Sequence, residues 1–127
     1  MSILQQNLDK PTVFAGVPTG AKTSTATSSA IDLLEYDGDI LLILDSAAGT
    51  GSSPTLDIKI TECDETGGTY TDLTGATFTQ VTGSASLQTL VISKDSAERF
   101  IKIVQTIGGS TPSFTFSVNC VAVKKYS

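Results

Sequence analysis

The chain has 127 residues, a net charge of −5, no histidine and only eight Lys and Arg together. That length fits one domain with a sizeable core. The charge argues against nucleic acid and against an anionic membrane surface, both of which attract basic residues.

About a quarter of the residues are Ser or Thr, and Gly is frequent, a strand-and-turn composition with too few helix formers for a bundle. Residues 1–22 read as an extended N-terminal arm. Pro11, Gly16, Pro18 and Gly20 interrupt regular structure there, while Val13, Phe14 and Val17 ask for a packing partner. The arm is expected either to lie over its own domain or to dock on a neighbour. The opening Met1-Ser-Ile-Leu-Gln-Gln lacks a basic start and an apolar core, so no signal peptide is expected.

The globular domain is expected over residues 23–127. Thr23 to Leu33 reads as its first strand, and Leu34 to Gly38 as a turn. Asp39-Ile-Leu-Leu-Ile-Leu-Asp45 is the stretch that organises the rest. Five aliphatic residues are too few to span a bilayer, and flanking turn residues favour a strand. Both pleat faces are apolar, so both need cover. Ile40, Leu42 and Leu44 are therefore candidate partner contacts, together with Val13, Phe14 and Val17.

Gly51 to Pro54 reads as a loop. Leu56, Ile58 and Ile60 alternate with Asp57, Lys59 and Thr61 in a half-buried strand. Asp64-Glu-Thr-Gly-Gly-Thr69 is a turn, Tyr70 to Phe78 crosses to the next sheet or edge, and Phe78 to Val81 is a short bulged strand. Leu87 to Ser93 is a strand. Lys94 to Glu98 is a tight connection of at most one helical turn. Phe100 to Ile107 and Ser113 to Val123 read as two strands joined by a hairpin at Gly108-Gly-Ser-Thr-Pro112, with Phe114, Phe116, Val118 and Cys120 inward. Lys124 to Ser127 reads as a solvated end. Seven to eight strands separated by turns predict an all-β antiparallel sandwich, Ig-like or jelly-roll.

Alternation puts Cys63 outward and Cys120 inward, so both are expected to be free thiols. The lack of histidine excludes a Ser-His-Asp triad and any histidine zinc site. No nucleotide-binding loop is present. Asp37, Asp39, Asp45, Asp64 and Glu65 read as solvated turn carboxylates, because the remaining ligands of a calcium loop are missing. No cofactor, metal site or enzymatic activity is expected. Trp is absent, and Tyr36, Tyr70 and Tyr126 are the only polar-tipped aromatics for a sugar platform.

Pro54-Thr-Leu-Asp-Ile-Lys-Ile-Thr-Glu-Cys-Asp-Glu-Thr-Gly-Gly-Thr-Tyr-Thr-Asp-Leu-Thr-Gly-Ala-Thr-Phe-Thr-Gln-Val81 resembles a stretch of small structural proteins of tailed bacteriophages. So does Arg99-Phe-Ile-Lys-Ile-Val-Gln-Thr-Ile-Gly-Gly-Ser-Thr-Pro-Ser-Phe-Thr-Phe-Ser-Val118, and the resemblance covers about residues 25–124. It implies a non-enzymatic virion component, a capsid decoration (cement) protein on the outer surface of the head, assembled in the host cytoplasm. Its partners would be the major capsid protein and further copies of itself, with trimers at local threefold points as one arrangement. The alternatives are a virion-displayed module that binds cell-surface glycans, or a tail or head-tail connector subunit.

Overall fold

The computed structural model describes residues 12–93 and 97–124. The expected helical turn at Lys94 to Glu98 lies partly outside the described residues. So do most of the solvated end and the first eleven residues of the expected arm.

Eight strands follow in chain order: β1 (Thr12–Lys22), β2 (Ala26–Thr27), β3 (Ile31–Asp32), β4 (Tyr36–Ser46), β5 (Thr50–Cys63), β6 (Thr71–Thr77), β7 (Ser86–Ile92) and β8 (Phe100–Lys124). A 3-10 turn, Leu33–Glu35, precedes β4 in place of the expected plain turn. Asp32 caps it, accepting the Leu34 N–H at 3.0 Å.

Strand β8 is the axis of the molecule. Its first half pairs with β5 on one side and with β2 and β3 on the other. Its second half pairs with β4 on one side and β1 on the other. β6 extends the first layer beyond β5, and β7 extends the second beyond β4. Every pairing is antiparallel. The two layers are thus β2/β3–β8–β5–β6 and β1–β8–β4–β7, a jelly-roll order. Of the Ig-like and jelly-roll topologies compatible with the sequence, this strand order is the second.

The hairpin expected at residues 108–112 does not form. Each half of β8 finds different neighbours, so the two halves never pair with each other. The Gly-Gly segment bends the strand from one layer into the other. β5 bends beside it, with Ser52 opposite Ser110 and Thr55 opposite Gly108, and its register breaks on both sides of Ser52. Residues 51–54 therefore belong to a strand rather than a loop. Gly51 (φ 102°), Ser53 (φ 49°), Gly109 (φ 113°) and Thr111 (φ 46°) all take left-handed backbone at this corner. Bulges of this kind let a strand turn a corner between sheets.

Residues 12–22, assigned from sequence to an extended arm, are instead an integral strand. Val13 pairs with Val121, Phe14 with Cys120 and Val17 with Val118. The prolines and glycines that argued for an arm are absorbed by register breaks between Ala15 and Val17 and between Val17 and Gly20. The single strand expected over residues 23–33 is reduced to two short pieces. Ser and Thr hydroxyls compete with the ladder here: Ser28 Oγ accepts the Ile103 N–H at 2.9 Å, and Thr25 Oγ1 accepts the Ile107 N–H at 3.1 Å. The segment from Phe78 to Val81 is a bridge to β5 rather than a strand. Phe78 N–H donates to Ile58 O and Val81 exchanges two bonds with Leu56, and both side chains are buried in the core.

The core lies between the layers. Ile40, Leu42, Leu44, Phe114, Phe116, Val118 and Cys120 from one layer meet Leu56, Ile58, Ile60, Ile101 and Ile103 from the other. Each such side chain contributes about 1.5–3 kcal/mol on burial.

Both cysteines are free and both are buried, which corrects the expectation that Cys63 faces solvent. The turn after β5 folds back over it. A Cβ on Gly68 would lie 2.5 Å from Cys63 Sγ, so only glycine permits this approach. Burial pushes the Cys120 thiol up to about 11, against a hydrogen bond from the Gly16 backbone. Thiol titration should give two groups after denaturation and fewer than two in the native protein at about pH 8, where only thiolate reacts. Two fast thiols in the native state would contradict this packing.

Arg99 donates to Asp32 from Nε (3.1 Å) and from an Nη nitrogen (2.9 Å), tying β3 to the entry of β8. The Arg99 hydrogen bond, then the Leu34 N–H, outweigh desolvation and hold the Asp32 carboxyl below its ordinary range. A depressed carboxylate stabilises the fold above its unfolded pKa of about 3.9, and this is lost as pH falls through the folded value. Asp32→Asn should therefore be less stable than the parent at neutral pH, with the gap closing in strong acid. A gap independent of pH, measured by thermal melts, would show that the ion pair contributes nothing.

Candidate functional site

The layer β1–β8–β4–β7 has two faces. Its inner face fills the core. Its outer face is built from the odd-numbered residues of β4, β7 and the second half of β8. The registers set four apolar side chains in one row across four strands. Val13 on β1 pairs with Val121 on β8, Val121 with Leu41 on β4, and Leu41 with Val91 on β7. Neighbouring strands lie about 4.8 Å apart, so the row is roughly 14 Å long.

Val13 is 66% exposed and Val91 59%, while Leu41 and Val121 are half-buried between their neighbours. Ile43 lies beside the row, and Leu87, 72% exposed, continues the apolar surface along β7. Asp39 and Asp45 lie on the same face of β4, to either side of Leu41 and Ile43, and both are exposed. An apolar strip with a charged rim is the anatomy of a protein docking surface.

The six residues expected to meet a partner divide sharply. Val13 alone is on this surface. Phe14 turns inward, its ring stacked on Tyr36 at 5.3 Å and 12°. Val17 is buried in the core. Ile40, Leu42 and Leu44 are the inner face of β4, each no more than 1% exposed, and no partner reaches them. The two-faced strand is real, but its uncovered face belongs to Leu41 and Ile43. Strand parity decides which set points out, and the sequence does not say which. The other apolar residues on this face are Leu41, Ile43, Leu87, Val91 and Val121. A signal was present in the odd-numbered apolar residues of β4 and β7, but only the pairing shows that they line up.

Other surfaces offer less. An open cleft of about 660 Å³ lies between β1 and the β2 segment, lined by Gly16, Val17, Pro18, Lys22, Thr27 and Gln105 among others. Lys22 is its one charged group, and Nζ already donates to Pro18 O (2.7 Å), Gly20 O (3.2 Å) and Phe116 O (3.4 Å). Possible ligand atoms of Cys63, Asp64 and Glu98 lie within 4.8 Å of one another. Cys63 is sealed under Gly68, and the two carboxylates are exposed. Tyr36 is buried, and Tyr70 lies beneath Lys102 Nζ (4.4 Å to the ring centroid). Tyr126 lies outside the described residues. No flat exposed tyrosine platform is found among the described residues.

No protein-family description and no curated protein matches the sequence. Solved structures do match the fold. The VP2 subviral particle of infectious bursal disease virus gives a TM-score of 0.53 at 18% identity, over 91% of this chain and 33% of that one. The same virus's Gt strain gives 0.52 at 15% identity, over 91% and 34%. A protein of Bacillus endospore appendages, described as disulfide-linked pili, gives 0.50 at 15% identity, over 91% and 90%. The chain thus spans about a third of the viral chains and most of the pilus chain. At these identities the likeness is one of fold.

Proposed function

We propose that this protein is a non-enzymatic structural component of a virus particle, a decoration protein that docks on the outside of a tailed-phage head. The observation that carries the reading is the uncovered row Val13–Val121–Leu41–Val91 between exposed carboxylates. A flat sheet face with no deep polar cavity suits a macromolecular partner better than a small substrate. The resemblance of residues 25–124 to small phage structural proteins adds the setting. The fold likeness to a viral particle protein and to a pilus protein supports an assembly role.

In this mechanism the outer face of β1–β8–β4–β7 lies against the major capsid protein. Binding only to the assembled shell stabilises it by mass action. Many copies, each weakly held, add through the shell's repeated sites.

The test is co-sedimentation with empty capsids that lack the protein. The native chain should saturate the shells at a fixed stoichiometry. Val13→Asp combined with Val121→Asp should weaken binding about a hundredfold, since each buried valine contributes roughly 1.5 kcal/mol and 1.4 kcal/mol is tenfold. Equal binding by parent and variant would remove this face from the mechanism.

A further inference from the structure

The geometry points to a second contact, between copies of this chain: the free edge of β7 pairs antiparallel with the same strand of a second copy, about a twofold axis at Thr89.

A sheet edge exposes unpaired backbone groups, and folded proteins normally blunt it with charge, proline, bulges or short strands. Among the described residues, three of the four sheet edges are blunted. β1 carries Pro18, two register breaks, and Lys22 folded onto the carbonyls of Pro18 and Gly20. β6 has a register break opposite Lys59 and Thr61, and its Asp72 is paired with Lys59 at 2.9 Å. β2 and β3 are two residues each.

β7 has none of these devices. Ser86-Leu-Gln-Thr-Leu-Val-Ile92 contains no charge, no proline and no glycine. It keeps seven consecutive register pairs with β4 and no irregularity. Among the described residues, no backbone hydrogen bond reaches its other edge. The strand is also held in place: Gln88 Nε2 donates to Thr79 O and Gln88 Oε1 accepts the Thr79 N–H, both at 2.8 Å. A fixed, straight, neutral edge is a template for strand addition.

The strand complements itself. Reversed about Thr89, the outer face sets Leu87 against Val91 of the second copy, Thr89 against Thr89, and Val91 against Leu87. Apolar pairs and Thr–Thr pairs are favourable directly opposite each other. The two exposed apolar side chains of β7, Leu87 and Val91, would thereby cover each other. Charge permits the approach although each chain carries −5. The Asp45 carboxylates lie one strand behind β7, so the two copies' Asp45 positions are three strand spacings apart. That is roughly 14 Å, beyond the Debye length of about 8 Å at physiological salt. A twofold contact is also self-closing, which prevents fibres.

A seven-residue edge buries less than the roughly 1,200 Å² of a stable complex, so the dimer is weak in dilute solution and fills on a crowded surface. The contact does not depend on the decoration reading. Pairing would join two outer faces into one continuous eight-stranded plate.

The experiment is disulfide trapping. Directly opposed residues in an antiparallel pair have Cα atoms about 4.5–5.5 Å apart, within disulfide range. Thr89→Cys should therefore cross-link to a dimer under mild oxidation of a concentrated sample. Thr71→Cys, on the blunted β6 edge, is the control and should stay monomeric. Cross-linking of Thr89→Cys no faster than Thr71→Cys would overturn the proposal. Amide exchange of the unmodified chain gives an independent reading. Edge amides of β7 should exchange about tenfold more slowly in concentrated than in dilute samples. Equal exchange at every concentration, fast or slow, would also overturn it.

Discussion

Phe116→Ala should cost about 3–5 kcal/mol of stability, the usual range for emptying a buried phenylalanine site. Phe116 is 1% exposed and lies in the second half of β8, opposite Ser46 of β4 and Gly20 of β1. Its ring also supports Lys22 Nζ, 4.8 Å from the centroid. Neighbouring Phe114 is fully buried, so the space left cannot refill from that side without disrupting a second packed ring. A domain of this size has about 5–15 kcal/mol in total, so the variant would lose a large share of it. Urea unfolding should show a lower midpoint with an unchanged slope. A loss well under about 1 kcal/mol would mean that β8 is not the centre of the core.

Gly109→Val should cost several kcal/mol through a different cause. Gly109 sits at φ 113°, where a β-branched residue is strained by about 1–3 kcal/mol. Its new Cβ would also fall 2.7 Å from Ser53 O and 2.9 Å from Ser52 O, both backbone atoms of the adjacent bent strand. Neither atom moves without disturbing the paired corner, which adds an overpacking cost of about 1–3 kcal/mol. Gly67→Ala is the matched control, since a Cβ there meets nothing within 4 Å, and it should change stability by about 0.5 kcal/mol or less. Equal stability of the two variants would show that the corner does not require its glycine.

The sequence carried the strands better than their connections. Ile40 to Leu44, Leu56 to Ile60 and Phe100 to Ile107 were legible because alternation and aliphatic runs report burial directly. The corner at Gly108-Gly-Ser-Thr-Pro112 was not. Turn residues look the same whether they reverse a strand or bend it, and only the neighbours of each half decide. β1 is hidden for a related reason, because an edge strand with bulges tolerates Pro18 and its glycines. For the outer face, the sequence showed that β4 is apolar on both sides. Which parity faces the core depends on long-range pairing with β8 and β7. That is why Leu41 and Ile43, rather than Ile40, Leu42 and Leu44, line the uncovered face of β4.

The most direct test of the central claim is quantitative co-sedimentation of the native chain and the Val13→Asp/Val121→Asp variant with empty capsids. The native chain should bind saturably, and a folded variant about a hundredfold more weakly. A native chain that stays in the supernatant, or a variant that binds as well as its parent, would contradict it.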